Sequence, residues 1–133
     1  EKDQIIYQLE SKDRVEKIKD VTKESLNMPI AVLTNSGSAS ASEILASAIK
    51  ESYGGFVVGT NTYGKGTVQQ TSQLADGSMI KYTVQNWLTP KGNWINETGL
   101  EPTHYIELSE DYYNNPTDNT DSQLQKALEL LTK

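Results

Sequence analysis

Apolar and polar positions divide the first half of the chain into short strands and one helix. Residues 4–9 have the composition of a strand, and the continuous apolar run Ile30–Thr34 is typical of a buried strand. Residues 40–52 predict a helix, and the apolar positions on its one face are Ile44, Leu45, Ala48 and Ile49. Gly54-Gly55 ends this helix, and Phe56–Val58 predicts the next buried strand.

The second half of the chain has mostly strand patterns. Residues 67–74 lack a helical period, 75–78 predict a turn, and a short strand is expected at 104–108. Residues 79–87 alternate as a half-exposed strand does, with Ile80, Tyr82 and Val84 opposed to Lys81, Thr83 and Gln85. A helix is expected from about Asp121, with the apolar stripe Leu124, Ala127, Leu128 and Leu131. A strand, a helix and a strand followed by further strands predict a mixed α/β core.

The N-terminal part is the least constrained by its pattern. Charge dominates residues 10–27, and Val15, Ile18 and Val21 recur three apart, which fits either a short helix or an irregular hairpin. The choice between these two stays open. The chain is divided into an N-terminal segment of the core (1–27), the core (28–108), a polar linker rich in Asn and Asp (109–119) and a C-terminal helix (120–133).

Composition narrows the class of protein. The 133 residues suit one domain with a real core. The net charge is −6, and the 12 basic residues are scattered, so nucleic acid is an unfavourable partner. The absence of cysteine excludes disulfides and thiolate metal sites. No apolar run has the length of a membrane span, and we expect no membrane contact by this chain. The chain begins at Glu1 without a methionine, and we interpret it as a piece of a longer protein.

A turn of small residues, 35–42, joins the strand at Ile30–Thr34 to the following helix. Small residues let a substrate approach the backbone closely, and a helix N-terminus presents free N–H groups to negative charge. Ser40 with Glu43 also fits a capping box, in which the serine does nothing but begin a helix. Composition alone does not choose among the serines at 36, 38, 40 and 42.

A lysine lies in a glycine loop 25 residues after Ser40, in Tyr63-Gly64-Lys65-Gly66-Thr67-Val68-Gln69. A serine on a strand-to-helix turn with one such lysine is the skeleton of a Ser/Lys hydrolase. As a base, Lys65 must be uncharged, so we expect it to be buried among apolar atoms. The alternative is a solvated turn lysine.

The same loop comes close to a phosphate-binding motif. Residues 59–65 match the first seven positions of a P-loop after a strand. Gly66 occupies the position at which a P-loop has Ser or Thr, and the residues after it have an extended pattern instead of a helical one. We therefore expect no nucleotide binding.

Together, the Ser-Ala-Ser-Ala-Ser-Glu turn and the Gly-Lys-Gly-x-Val-Gln loop resemble those of the C-terminal processing (tail-specific) serine peptidases. The resemblance covers residues 28–132 and continues through Asp76-Gly77-Ser78, Thr89-Pro90-Lys91-Gly92, Gly99-Leu100-Glu101-Pro102 and Asp121-Ser122-Gln123-Leu124. His104 stands where the family usually has an acidic residue, and we interpret it as the start of a strand.

This resemblance implies a fold and a site. The fold would be α/β of the ClpP/crotonase type, a crotonase-like mixed sheet with flanking helices, truncated at the N-terminus. Ser40 would be the nucleophile, Lys65 the general base and Gln69 the residue that orients Lys65, while the N–H of Ala41 would bind the oxyanion. No cofactor and no metal are implied.

The resemblance further implies a protein or peptide substrate with an accessible C-terminus and an extracytoplasmic location. Relatives also carry an anchor or signal, a PDZ-type module and a glycine-rich loop that supplies a second oxyanion donor. Without these parts, we expect the isolated chain to be inactive and to form a homodimer by exchange of residues 1–27 or of the terminal helix. The alternative is a non-catalytic binding or assembly domain on the same fold, in which Ser40 and Lys65 lie far apart.

Overall fold

The computed structural model describes residues 3–22 and 24–132, and the other positions assigned above to the first segment and the last helix (1, 2, 23 and 133) lie outside the described residues. The strands are β1 (Ile5–Ser11), β2 (Arg14–Lys19), β3 (Ala31–Thr34), β4 (Phe56–Gly59), β5 (Thr67–Gln73), β6 (Met79–Leu88) and β7 (His104–Tyr105). The helices are α1 (Ala41–Ala48), which continues as a π-helical segment Ile49–Tyr53, α2 (Glu110–Asn114) and α3 (Ser122–Leu131). The mixed α/β fold expected from the sequence is confirmed.

One sheet is antiparallel and contains the N-terminal hairpin. Its strand order is β2-β1-β6-β5. The register pairs Ser11 with Arg14, so β1 and β2 are joined by a tight turn. The hairpin interpretation is therefore correct for residues 10–19, and the helical one is wrong there. Trp87 and Leu88 near the end of β6 are buried against β1, which pairs with β6 only at Gln8, Leu9 and Glu10.

The β5–β6 hairpin extends beyond β1. Residues 79–84 of β6 are exposed on both faces, and they lie outside the part of the strand that pairs with β1. The half-exposed strand expected for this segment is therefore exposed on both sides over its first six residues. The pairing of β5 with β6 also shifts register between Val68 and Gln69, close to the lysine loop.

The second sheet is parallel, with the strand order β3-β4-β7. Helix α1 makes the crossover between β3 and β4, as parallel strands require. Val57 and Val58 of β4 are fully buried, as the apolar run predicted. The core cluster joins both sheets and α1, and its members are Ala46, Val57, Trp87, Ile95 and Leu100.

Helix α1 buries a different face from the one expected. Leu45 is 58% exposed, whereas Glu43, Ala46 and Ser47 are fully buried. The Ser47 hydroxyl donates to the carbonyl of Ile44 at 2.9 Å, which satisfies it inside the core. The Glu43 carboxylate is buried because it accepts hydrogen bonds from a loop packed on α1, described below, which an apolar side chain cannot do.

The C-terminal part contains one helix that the sequence pattern did not indicate. Helix α2 lies inside the segment 109–119 expected to be a polar linker, and Ser109 caps it by accepting from the N–H of Tyr112 at 3.2 Å. Asp121 caps α3 through the N–H groups of Gln123 and Leu124. Helix α3 packs on β3 and β4 with Ala127 buried, while Leu128, expected in its apolar stripe, is exposed.

Candidate active site

Ser40 lies on a strained turn between β3 and α1. Its backbone has φ 56° and ψ −113°, a conformation that side chains with a Cβ rarely adopt. Such strain costs about 1–3 kcal/mol and is concentrated at functional sites, including the nucleophile turns of α/β-hydrolases. Ser40 is half-buried, and its carbonyl accepts from the N–H groups of Glu43 and Ile44 at 2.9 and 3.0 Å. The turn therefore sets the direction of the Ser40 side chain at the start of the helix.

The amide of Ala41 is the first of α1. Within residues 3–22 and 24–132, this N–H makes no backbone hydrogen bond. The first N–H groups of a helix have no intrahelical partner, and they attract negative charge. An unpaired donor thus lies next to the Ser40 side chain.

Glu43 connects the serine turn to the lysine loop. Its Oε2 accepts from the N–H of Ser40 at 2.8 Å and from the N–H of Lys65 at 2.9 Å. Its Oε1 accepts from the N–H of Gly64 at 2.6 Å and from the Thr62 hydroxyl at 2.5 Å. Both halves of a capping box are present, because the Glu43 carboxylate accepts from the N–H of Ser40 and the Ser40 side chain faces the N–H of Glu43, although the latter contact does not have standard hydrogen-bond geometry. One buried carboxylate therefore fixes the spacing of the two segments.

The lysine loop, residues 64–66, is enclosed by segment 95–99. Gly64 has φ +87°, and a Cβ added there would lie 2.7 Å from the backbone N of Gly99. A Cβ on Gly66 would lie 2.9 Å from the backbone N of Asn96. Both glycines are therefore required by the close approach of two backbones.

Lys65 projects into a groove of about 510 Å³, which Ser40 and Gln69 also line. We call it the Ser40–Lys65 groove. Apolar side chains form part of its wall, and these include Leu9, Ile44, Val68 and Trp87. The structure therefore places the serine, the lysine and the glutamine of the sequence analysis around one cavity.

The expected burial of Lys65 is wrong for the side chain. Gly64 and Gly66 on either side are buried, but Lys65 itself is exposed, because its side chain leaves the loop toward the open groove. In the described part of the chain, no hydrogen bond joins Lys65 to Ser40 or to Gln69. Gln69 is likewise exposed, in β5.

Two other candidate features of the sequence are the phosphate-binding motif and His104. Strand β5 follows the glycine loop directly, so the helix that a P-loop needs after its lysine is replaced by a strand, as predicted. His104 begins β7, also as predicted; its Nδ1 lies 3.1 Å from the Thr103 hydroxyl, and its ring packs edge-on against Phe56.

Several residues that organise the site were not singled out by sequence reasoning. They are Thr62, Trp87, Trp94 and Asn96, and Glu43 was considered only as a capping residue. No spacing rule relates α1 to the lysine loop, because 21 positions separate Glu43 from Gly64. The only signal was the excess of glycine around Lys65, which predicts that another backbone lies close.

The fold resembles that of serine-type C-terminal processing proteases. The chain superposes on the photosystem II D1 C-terminal processing protease with a TM-score of 0.72 and 31% identity, over 98% of this chain and 32% of that one. The model of peptidase family S41 matches residues 1–106, and the chain belongs to this family. The resemblance to C-terminal processing peptidases is therefore confirmed.

Two curated relatives support the same assignment. The chain is 55% identical over 85 residues to the carboxy-terminal processing protease CtpB of Bacillus subtilis (strain 168), covering 64% of this chain and 18% of CtpB. It is 43% identical over 105 residues to a probable CtpA-like serine protease of Staphylococcus haemolyticus, covering 77% of this chain and 21% of that protein. The chain thus spans about a fifth of the length of these relatives.

A more distant structure shows the fold alone. A lipoprotein from Streptococcus agalactiae superposes with a TM-score of 0.72 at 20% identity, over 98% of this chain and 45% of that one. In the described residues, no helix is long and apolar enough to cross a membrane.

Proposed function

We propose that this chain supplies the serine and the lysine of a C-terminal processing endopeptidase. One observation carries the proposal: the Glu43 Oε2 atom accepts hydrogen bonds from both the N–H of Ser40 and the N–H of Lys65. This shared acceptor holds the two backbones close together, and the two side chains line one groove.

The reaction proceeds by acyl transfer. The Ser40 hydroxyl oxygen attacks the carbonyl carbon of the scissile peptide bond, and its proton passes to the uncharged Nζ of Lys65. The carbonyl oxygen becomes an oxyanion beside the N–H of Ala41. The C–N bond then breaks, and Lys65 returns the proton to the leaving amine. Water then attacks the resulting ester while Lys65 accepts a proton from it. The ester C–O bond breaks, and Lys65 returns the proton to the Ser40 oxygen.

Gln69 is the proposed orienting residue for Lys65. It lies on β5 four positions after the lysine, and both side chains border the groove. A peptide lying in the groove would exclude water from Lys65, and an apolar environment favours the uncharged amine. Substrate would thereby supply the desolvation that the open groove lacks.

The proposed substrate is a protein or peptide with an accessible C-terminus, as the names of the relatives indicate for those proteins. We also propose that the protein acts outside the cytoplasm. The isolated chain is proposed to be inactive, because losing one oxyanion donor lowers rates by about 10²–10³. A homodimer of the isolated chain is also proposed, and sedimentation of the 133-residue chain tests it.

The direct test is hydrolysis of a peptide with a free C-terminus by the full-length protein and by its Ser40→Ala and Lys65→Ala variants. A serine-reactive fluorophosphonate should label Ser40 in the parent protein and in neither variant. Hydrolysis by Ser40→Ala at the parental rate would refute the proposal.

A second candidate function is a binding or assembly domain on the same fold. The exposed Lys65 side chain, without a hydrogen bond to Ser40 in the described residues, favours it. In that case the full-length protein would bind tailed peptides with equal affinity in the parent and in the Ser40→Ala variant, and neither would cleave them.

A further inference from the structure

Every backbone polar group of the lysine loop is hydrogen-bonded to a partner outside the loop. The N–H groups of Gly64 and Lys65 donate to Glu43, and the N–H of Gly66 donates to the Asn96 side chain at 3.1 Å. The carbonyl of Gly64 accepts from the N–H of Glu97 at 2.9 Å. The two remaining carbonyls, those of Lys65 and Gly66, are held by indole rings.

Both tryptophans of the chain donate to this loop. The Nε1–H of Trp87 donates to the carbonyl of Lys65 at 2.6 Å, and the Nε1–H of Trp94 donates to the carbonyl of Gly66 at 3.0 Å. The backbone N–H of Trp87 also donates to the carbonyl of Gly66 at 3.0 Å. The sequence contains two tryptophans in all, so its full set of indole donors is used on adjacent carbonyls of one loop.

These contacts fix the two peptide planes that flank Lys65. Glu43 holds the N–H on one side of the Lys65 Cα, and Trp87 holds the carbonyl on the other. With both planes held, φ and ψ of Lys65 are set, and so is the direction of its Cα–Cβ bond. In the described part of the chain, no hydrogen bond or ion pair holds the Lys65 amine itself. The backbone therefore determines the direction in which the Lys65 side chain leaves the loop.

We propose that Trp87 and Trp94 are positioning residues for Lys65, which aim its side chain at Ser40 by holding the lysine-loop carbonyls. This inference rests on the proposed Ser/Lys function. Trp87 acts on the carbonyl of Lys65 itself, and Trp94 acts one peptide plane further along, on the carbonyl of Gly66. Trp94 is 51% exposed and adds less than Trp87 to the core, so its substitution tests the geometry with the smaller loss of packing. An exposed indole whose N–H is directed at a loop carbonyl points to a role in geometry.

The test replaces each indole by a ring that cannot donate. Trp94→Phe and Trp87→Phe are made in the full-length protein, with Tyr53→Phe as the matched control. The Tyr53 hydroxyl donates to the carbonyl of Leu26 at 2.7 Å, far along the chain from the lysine loop, so this variant also loses an aromatic donor and keeps its ring. For each variant, kcat, KM, fluorophosphonate labelling of Ser40 and hydrogen–deuterium exchange of segment 62–67 are measured.

We expect Trp94→Phe to lower kcat by about 10- to 100-fold, as misplacement of a reacting group does, with Ser40 labelling slowed in parallel. KM should change by less than about threefold, because substrate binding is retained. Exchange of segment 62–67 should become about tenfold faster. Tyr53→Phe should match the parent in all four measurements.

A folded Trp94→Phe variant with the parental kcat would overturn the inference, even if Trp87→Phe fails to fold. A fall in kcat with unchanged exchange of segment 62–67 would also overturn it, because the indole would then act elsewhere. A different result would refute the proposed function, namely hydrolysis of the peptide by the Ser40→Ala variant. The two failures are therefore distinguishable.

Discussion

Glu43 Oε2 receives the backbone N–H of Lys65 at 2.9 Å while it also receives the backbone N–H of Ser40 at 2.8 Å. The first turn of α1 thus carries the side chain that attaches the lysine loop to the serine turn. Because Glu43 is fully buried, water cannot replace it as the acceptor. The structure couples the geometry of the two proposed catalytic residues to one carboxylate.

Glu43→Gln should destabilise the fold by about 2–4 kcal/mol, because an amide NH₂ would face backbone donors and leave them unpaired. Urea unfolding measures this loss. Glu51→Gln is the control, because Glu51 Oε2 accepts from the exposed backbone N–H of Lys91 at 2.8 Å, and we expect a loss of about 0.5 kcal/mol or less there. Equal unfolding midpoints for the two variants would contradict the role given to Glu43.

Ser40→Ala should abolish peptide hydrolysis in the full-length protein and change the free energy of unfolding by about 1–2 kcal/mol at most, the range for loss of a helix cap. Ser38→Ala and Ser42→Ala are the controls within the same turn and should keep substantial activity. Ser38 Oγ accepts from the N–H of Asn35 at 3.2 Å, and Ser42 is exposed. If Ser42→Ala were the inactive variant, the nucleophile would be assigned to the wrong serine.

Lys65→Ala should lose as much activity as Ser40→Ala, because members of one catalytic unit are not additive. Its stability should change by about 0.5 kcal/mol or less, since the side chain is exposed. Lys17→Ala, at an exposed position of β2, is the control and should keep the parental kcat. The proposed steps use no metal, so EDTA should leave kcat unchanged. Activity in Lys65→Ala would contradict the assignment of the base.

The strand and helix order was predictable because the local patterns are strong. Ile30–Thr34 and Phe56–Val58 are apolar runs with the length of buried strands, and both become strands of the parallel sheet. The N-terminal hairpin was left open, because three apolar residues spaced three apart fit either structure. Pairing with β6 settles it, and that contact is not local in sequence.

The buried face of α1 could not be predicted from periodicity. The pattern favours Leu45 inside and Glu43 outside, but the helix packs against backbone donors that need an acceptor. Hydrogen bonds to a segment distant in sequence therefore decide which face of α1 is buried, against the pattern of its apolar residues. The exposure of Lys65 was also not predictable from the pattern. Its burial was expected because a general base must be uncharged, but its side chain lies in an open groove.

Ser78→Ala should raise the pKa of Asp76. Hydrogen bonds from the Ser78 hydroxyl, first, and from the Ser78 N–H lower the pKa of this carboxyl below its usual value. A lowered pKa in the folded state stabilises the protein above the pKa of the unfolded chain, and this stabilisation is lost as the pH falls through the lowered value. Carboxyl carbon NMR titration measures the change.

The carboxyl of Asp20 is the internal control for this titration. Its pKa is lowered by hydrogen bonds from the backbone N–H and then the hydroxyl of Thr22, which Ser78→Ala leaves intact. Its titration should therefore not move in the variant. A parental Asp76 titration in Ser78→Ala would show that the hydrogen bond from the Ser78 hydroxyl does not lower this pKa.

Gly64→Ala should cost far more stability than Gly77→Ala, although the two glycines have φ of +87° and +86°. Alanine at either position meets about 1–2 kcal/mol of left-handed backbone strain. A Cβ at Gly77 finds no atom within 4 Å, whereas one at Gly64 lies 2.7 Å from the backbone N of Gly99 and 3.0 Å from the carbonyl oxygen of Ile95. Backbone atoms cannot rotate away as side chains do, so the clash should add at least about 2 kcal/mol.

Urea unfolding of both glycine variants measures this difference in unfolding free energy. The left-handed backbone strain is common to the two variants, so it cancels in the comparison. In the full-length protein, Gly77→Ala should also keep the parental kcat, because Gly77 lies in the turn between β5 and β6. Gly64→Ala should lower kcat in whatever fraction remains folded, since the clash displaces the loop that carries Lys65. Equal unfolding free energies for the two variants would mean that segment 95–99 does not enclose the lysine loop as the structure has it.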